Sequence, residues 1–142
     1  AKAEEAYKQA TTMDEKSVEA WEALAVLYNT QKKFDLAGEA SSKAIALQNA
    51  TGGPTDATSA YNAGVILSNQ RKMAEARGMF EKAVQMNPKM ADAHYQLAMA
   101  YLNENKMAEA VKSLEQFLVL EPAGPNSEMA KVLLVEAKKL AK

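Results

Sequence analysis

The chain is 142 residues long, 48% apolar and 25% charged, and its seventeen basic and eighteen acidic side chains leave a net charge of −1. That is about one domain's worth of sequence with ample material for a core, and the charge balance excludes a protein that works by bulk attraction to nucleic acid. The absence of cysteine and the presence of a single histidine, His94, exclude thiol chemistry, disulfides and zinc clusters.

Apolar residues recur three and four apart almost throughout, as in Leu24, Leu27 and Tyr28 or Leu97, Met99 and Tyr101, and this spacing predicts helices from end to end. No apolar run approaches the ~20 residues of a membrane span, and no signal peptide opens the chain, so no membrane insertion is expected. Residues 1–16 form one helix with Ala3, Tyr7 and Ala10 on a stripe. Residues 18–49 form a helix pair broken at Thr30, Gln31, Lys32 and Lys33, followed by a Gly/Pro-rich loop at 49–56. Residues 57–90 form a second pair, broken at Asn69, Gln70, Arg71 and Lys72 and stopped at Pro88. Residues 91–124 form a third, broken at Asn103, Glu104, Asn105 and Lys106 and stopped at Pro122 and Pro125. A last helix occupies 126–142. Ser127 is its expected N-cap, Ala130, Leu133, Leu134, Ala137 and Leu140 make its apolar stripe, and Lys131, Glu136, Lys138, Lys139 and Lys142 face water.

The pairs are copies of one another. Sliding the chain by 34 residues aligns Ala57 with Ala91, Tyr61 with Tyr95, Asn69 with Asn103 and Pro88 with Pro122. It also aligns the run from Lys72 to Ala76 with the run from Lys106 to Ala110. Ten of the 34 pairs are identical, against about two or three by chance in so alanine-rich a composition. A further copy lies upstream at an offset of 39, matching Val26 with Val65, Ala37 with Ala76 and Ala44 with Ala83, with the extra residues absorbed by the 49–56 loop.

These repeats resemble the tetratricopeptide repeat family. Its pattern has a large residue at position 4, Leu at 7, a small residue at 8, Tyr at 11, Ala at 20, an aromatic at 24, Ala at 27 and Pro at 32. The three copies read Trp21, Leu24, Ala25, Tyr28, Ala37, Ser41, Ala44, Asn49; then Ala60, Ala63, Gly64, Leu67, Ala76, Phe80, Ala83, Pro88; then His94, Leu97, Ala98, Tyr101, Ala110, Leu114, Phe117, Pro122. The resemblance implies an all-α fold, a right-handed α-α superhelix (solenoid) of antiparallel helix pairs closed by a C-terminal capping helix, all in a single domain spanning 1–142. Small residues at 8, 20 and 27 let paired helices approach at the short end of the ~8–10 Å range, and hairpins must stack because one cannot cover its own apolar face. Residues 1–16 then correspond to the second helix of a repeat whose first helix is absent, as in a fragment or processed form. Three departures carry expectations. Ser41 in place of a bulky residue makes the first full repeat the loosest. Phe117 fills space beneath the last helix, which is shifted by about two residues from the strict period. Tyr61 compensates for small Ala60 and Ala63 by partly burying its ring.

Nothing in the sequence assembles catalysis, so no enzyme, cofactor or metal is expected. His94 falls at a packing position, and Gly52-Gly53 lacks the Lys-Ser/Thr of a phosphate loop. The eight methionines read as core filler. The resemblance places the concave face on the first helix of each pair, at positions 2, 5, 6, 9, 12 and 13. Among the residues there, Glu22, Val26, Asn29, Tyr61, Asn62, Val65, Asn69, Tyr95, Gln96, Met99 and Asn103 are the candidate peptide-binding groove. Amides can meet backbone C=O and N–H at once, and tyrosines offer flat area with a polar tip. Repeats of this family that grip acidic chaperone tails place Lys, Asn or Arg at positions held here by Glu22, Val26, Asn62, Asp92 and Gln96, of which only Asn62 fits. With Glu19, Glu22 and Asp92 on that face, the expected partner is a neutral or basic peptide rather than an acidic one, and nucleic acid is not expected. The alternative is an assembly module that self-associates, a homodimer through the N-terminal helix. A lack of cysteine fits cytoplasm and periplasm equally.

Overall fold

The computed structural model describes residues 2–54 and 56–142. Ala1, at the head of the 1–16 segment, and Thr55, inside the 49–56 loop, lie outside the described residues. Eight helices occur among those described: α1 Lys2–Met13, α2 Val18–Thr30, α3 Phe34–Ala50, α4 Ala57–Asn69, α5 Met73–Met86, α6 Ala91–Asn103, α7 Met107–Leu120 and α8 Ser127–Leu140. No strand is present among them. Each helix packs on its chain neighbours, and α2 with α3, α4 with α5 and α6 with α7 form the intimate pairs of an all-α helical repeat.

Local chemistry sets the helix ends. Ser17 caps α2 by accepting from the Ala20 N–H at 3.2 Å, and Asp56 caps α4 by accepting from the Ser59 N–H at 2.8 Å. The three turns inside the pairs share one geometry. Lys32, Arg71 and Asn105 sit at φ of 60°, 63° and 58°. The N–H of the following lysine in each turn reaches back to Tyr28, Leu67 or Tyr101 carbonyl oxygen at 2.8, 2.9 and 2.9 Å, which terminates α2, α4 and α6 and reverses the chain within three residues.

The small residues do what close approach requires. Ala25, Ala37, Ala44, Gly64, Ala76, Ala83, Ala98 and Ala110 are all buried. Phe80 joins Leu67, Ala76 and Leu97, while Phe117 joins Ala98, Leu114 and Ala130 beneath α8. Tyr61 lies half-buried against the Phe80 ring, with centroids 5.9 Å apart, so the ring fills space that Ala60 and Ala63 leave. A cavity of about 10 Å³ lies beside Ser41, between Ala25, Ala44 and Ala63. It is the volume of roughly one water and marks the missing bulk of the first full repeat.

The α1–α2 and α5–α6 joints carry ion-pair latches, and none occurs among the described residues at the middle joint, α3–α4. Glu4 of α1 meets Lys8 at 2.8 Å and Lys33 at 3.1 Å over the Tyr28 ring, and hydrogen bonds from those two ammonium groups hold its carboxyl down at about 2. In α5, Arg77 meets Glu81 at 2.8 Å and Glu104 at 2.9 Å. Tyr101 of α6 donates to Glu81 at 2.9 Å. Desolvation, and the charge and hydrogen bond of Glu81, push its phenol up to about 12. At the middle joint the equivalent of Arg77 is Gly38, whose missing Cβ leaves room for the Gln70 amide to lie against α3.

Two sequence expectations fail and a third holds only in part. Asn126 takes the N-cap position of α8 and makes no side-chain cap, while Ser127 is the first helical residue. Its hydroxyl accepts from Gly124 N–H and donates to Glu121 carbonyl oxygen, both at 2.7 Å, so it clamps the loop rather than the helix. Leu140 is 66% exposed and leaves the apolar stripe at the last turn of α8. The methionines are core filler only in part: Met79 and Met90 pack against the buried clusters, but none is fully buried and Met13, Met86 and Met129 are exposed. Alanine–alanine and alanine–aromatic approach is too close to admit an unbranched chain between helices.

Candidate functional site: the concave helix face

The repeat spacing puts positions 5, 6, 9, 12 and 13 of α2, α4 and α6 on one side of each helix. There Glu22, Val26, Asn29, Tyr61, Asn62, Val65, Tyr95, Gln96 and Met99 are half-buried, and Asn69 and Asn103 are exposed. The structure joins several of them. Asn69 Nδ2 donates to Asn29 Oδ1 at 2.6 Å, tying α4 to α2. Burial raises the Tyr61 phenol, with the nearby Asp92 charge adding to it. Tyr95 stacks on Phe117 with centroids 5.1 Å apart, and Val65 packs into the cluster around Phe80. The two tyrosines are therefore partly core, with one edge on the groove.

Glu22, Val26 and Asn62 meet around a cleft of about 440 Å³ whose other walls are Tyr7 of α1 with Glu19 and Thr30 of α2. Gln48 of α3 donates through Nε2 to Glu22 Oε1, and Ser59 of α4 donates to Oε2 at 3.0 Å. One carboxylate thus pins three helices, α2, α3 and α4. Desolvation lifts its carboxyl above the ordinary range despite those two bonds. A raised native value means that the folded state binds the proton more tightly, so this group's contribution to stability falls as pH rises through the window above the ordinary carboxylate value. Glu22→Gln keeps both partners, since its Oε1 accepts from Gln48 and its amide donates to the Ser59 oxygen. The melting temperature of the variant is expected to rise relative to wild type between about pH 4 and pH 7. A constant difference across that range contradicts the assignment.

Asn62 and Asn103 make no side-chain hydrogen bond among the described residues, which leaves them free for a ligand, whereas Asn29 and Asn69 are partly spent on each other. Met99 and Asn103 have no groove partner among the contacts described.

The sequence pattern missed two features. Tyr7, 38% exposed, walls the cleft from α1. On α8 the expected shift of about two residues is present, since Ala130, Leu133 and Leu134 take the packing roles of His94, Leu97 and Ala98 in α6 at an offset of 36, but its consequence for the groove side was missed. In that register Val132 and Val135, 59% and 54% exposed, occupy the positions of Gln96 and Met99. The apolar pair three apart on an otherwise charged face was the available signal.

No reactive constellation accompanies this surface. His94 is 9% exposed and its Nε2–H donates to the Pro88 carbonyl oxygen at 2.8 Å, a structural hydrogen bond. Among the described residues no group of three or more acidic, histidine or cysteine side chains could hold a metal, and no helix is long and apolar enough to cross a membrane. A wider depression of about 890 Å³ between Asp35, Gly38, Lys43, Gln70 and Lys72 is of mixed charge and includes none of the groove residues.

Known proteins share this architecture. The crystal structure of MamA superposes with a TM-score of 0.76 at 24% identity, covering 96% of this chain and 81% of that one. YrrB, described as a TPR protein with an unusual peptide-binding site, superposes at 0.76 with 19% identity over 95% of this chain and 72% of its own. The first TPR of Spaghetti (RPAP3), bound to the HSP90 peptide SRMEEVD, superposes at 0.72 with 23% identity over 91% and 97%. No curated protein sequence matches the chain. Tetratricopeptide repeat models match residues 17–89 and residues 69–134, and with the helix pairs, turns and small-residue contacts above they establish that the chain belongs to the tetratricopeptide repeat family.

Proposed function

We propose that the chain is a non-enzymatic protein–protein interaction module that binds a neutral or basic peptide segment along the concave face of α2, α4 and α6. The observation that carries this reading is the pair of uncommitted amides, Asn62 and Asn103, on a face that also presents the edges of Tyr61 and Tyr95. A side chain that can donate and accept suits a peptide backbone, and rings already fixed by Phe80 and Phe117 lose little freedom on binding. The RPAP3 repeat holds an acidic peptide, whereas Glu19, Glu22 and Asp92 on this face oppose one. Met13, 88% exposed, favours the competing reading of a dimer through α1, but Tyr7 of the same helix turns to the cleft.

The test uses twelve-residue peptides selected by phage display on the immobilised chain. Asn62→Ala with Asn103→Ala is expected to weaken a selected peptide about tenfold in calorimetry, the worth of one to two hydrogen bonds. Helicity by circular dichroism should not change. Equal affinity for the double variant removes this face from consideration.

A further inference from the structure

The cleft between α1, α2 and α4 differs in character from the rest of the concave face, and it refines the peptide-groove reading on which it rests. Its walls carry two carboxylates, Glu19 and Glu22, and among the described residues no basic side chain lines it. Neither carboxylate forms an ion pair with a described lysine or arginine, although Glu4, Glu81, Glu104, Glu115, Glu128 and Glu136 all do. Glu19 has only a 3.5 Å contact with the Ser17 hydroxyl, and the two bonds to Glu22 come from neutral donors, so both keep lone pairs for a ligand. Opposite them stands Tyr7, 38% exposed, and the floor is the apolar side chain of Val26.

We propose that this cleft seats the side chain of one lysine or arginine of the bound peptide, with Glu19 and Glu22 meeting its charge and the Tyr7 ring and Val26 lying along its stem. A long cationic side chain needs an apolar wall for its methylenes and a carboxylate at its tip, and an aromatic face adds attraction for the charge. The cleft of about 440 Å³ supplies all three on one side of α2. Burial already holds the Glu22 carboxyl above its ordinary range, so a cation placed against it relieves a standing penalty, in contrast to a pair formed at a fully wetted surface. The seat also gives the groove a direction. The basic residue lies at the α2 end, and the chain then runs past Asn62 toward α6.

The probes are the phage-selected twelve-residue peptides, chosen on the wild-type chain and separately on Glu19→Gln with Glu22→Gln. The wild-type pool is expected to be enriched in lysine or arginine at one position, and the variant pool to lose that enrichment. For a single selected peptide, replacing its arginine by citrulline is expected to weaken binding about tenfold on wild type. The same replacement should cost clearly less on Glu19→Gln, an exposed substitution that leaves the fold intact and keeps Glu22 as the one remaining carboxylate. A pool without basic enrichment that still depends on Asn62 and Asn103 overturns the seat and leaves the groove standing. A pool indifferent to Asn62 and Asn103 overturns the groove reading. Equal loss with citrulline on wild type and Glu19→Gln overturns the seat, because the cation is then bound elsewhere.

Discussion

Phe117→Ala is expected to lower the unfolding free energy by about 3–5 kcal/mol and to release α8 before the rest of the chain. Phe117 is fully buried and stands where the repeat pattern has alanine. The substitution is tolerated because α8 packs in a register offset by 36 residues from α6, which opens the space under it. The ring fills that space, touching Ala98, Leu114 and Ala130, and it supports Tyr95 at 5.1 Å. Alanine would leave a void that these rigid helices cannot close. Stability in a stacked-repeat protein is a sum of neighbouring interfaces, so the loss should be local first. Urea titration reads the free energy, and hydrogen exchange should show the amides of α8 losing protection ahead of those in α4 and α5. A loss below about 1 kcal/mol with α8 still protected means that the helix docks through Leu133 and Leu134 alone.

The parts of this fold that sequence reasoning reached are those decided by residue volume and backbone stops. Alanine or glycine at the tight positions, the polar turns at Lys32, Arg71 and Asn105, and the prolines at 88 and 122 act on their immediate neighbours, so a linear pattern carries them. The buried role of His94 follows from its place in that pattern. What stayed hidden depends on angles between helices or on the path of a loop. Tyr7 enters the cleft because of how α1 crosses α2, which no period encodes. The Asn29–Asn69 bond requires two helices at one particular separation, and an amide on a groove reads the same whether it is free or bonded to its neighbour. Ser127 carries a hydroxyl that can cap a helix or clasp a loop, and the course of residues 121–126 decides between them. Glu22 was legible as a groove charge, but its bonds to Gln48 and Ser59 join residues 26 and 37 positions away. Val132 and Val135 were obscured by the slipped register of α8, which moves them onto the groove side only after packing is known.

Two glycines in helix interiors should respond to substitution with opposite sign, and together they test whether α4 and α5 touch as described. Gly64→Leu is expected to cost about 2–3 kcal/mol. Even a Cβ at residue 64 would lie 2.6 Å from Phe80 Cε1, and the ring it meets is fully buried with Leu67, Ala76 and Leu97 packed around it. Neither the ring nor the α4 backbone can retreat without opening the core elsewhere. The better helix propensity of leucine returns only about 0.8–1 kcal/mol, too little to offset the clash. Gly78→Ala, in the middle of α5, is expected to gain about 0.5–1 kcal/mol, since a Cβ there meets nothing within 4 Å and only the backbone-entropy benefit remains. Urea unfolding of both variants gives the comparison directly. If Gly64→Leu is stabilised to the same degree as Gly78→Ala, α4 and α5 do not approach at residue 64, and the close-packed pair that aligns the groove helices is wrong. If Gly64→Leu is destabilised and Gly78→Ala stabilised, the small residue is held by the neighbouring ring and not by any need of the helix itself.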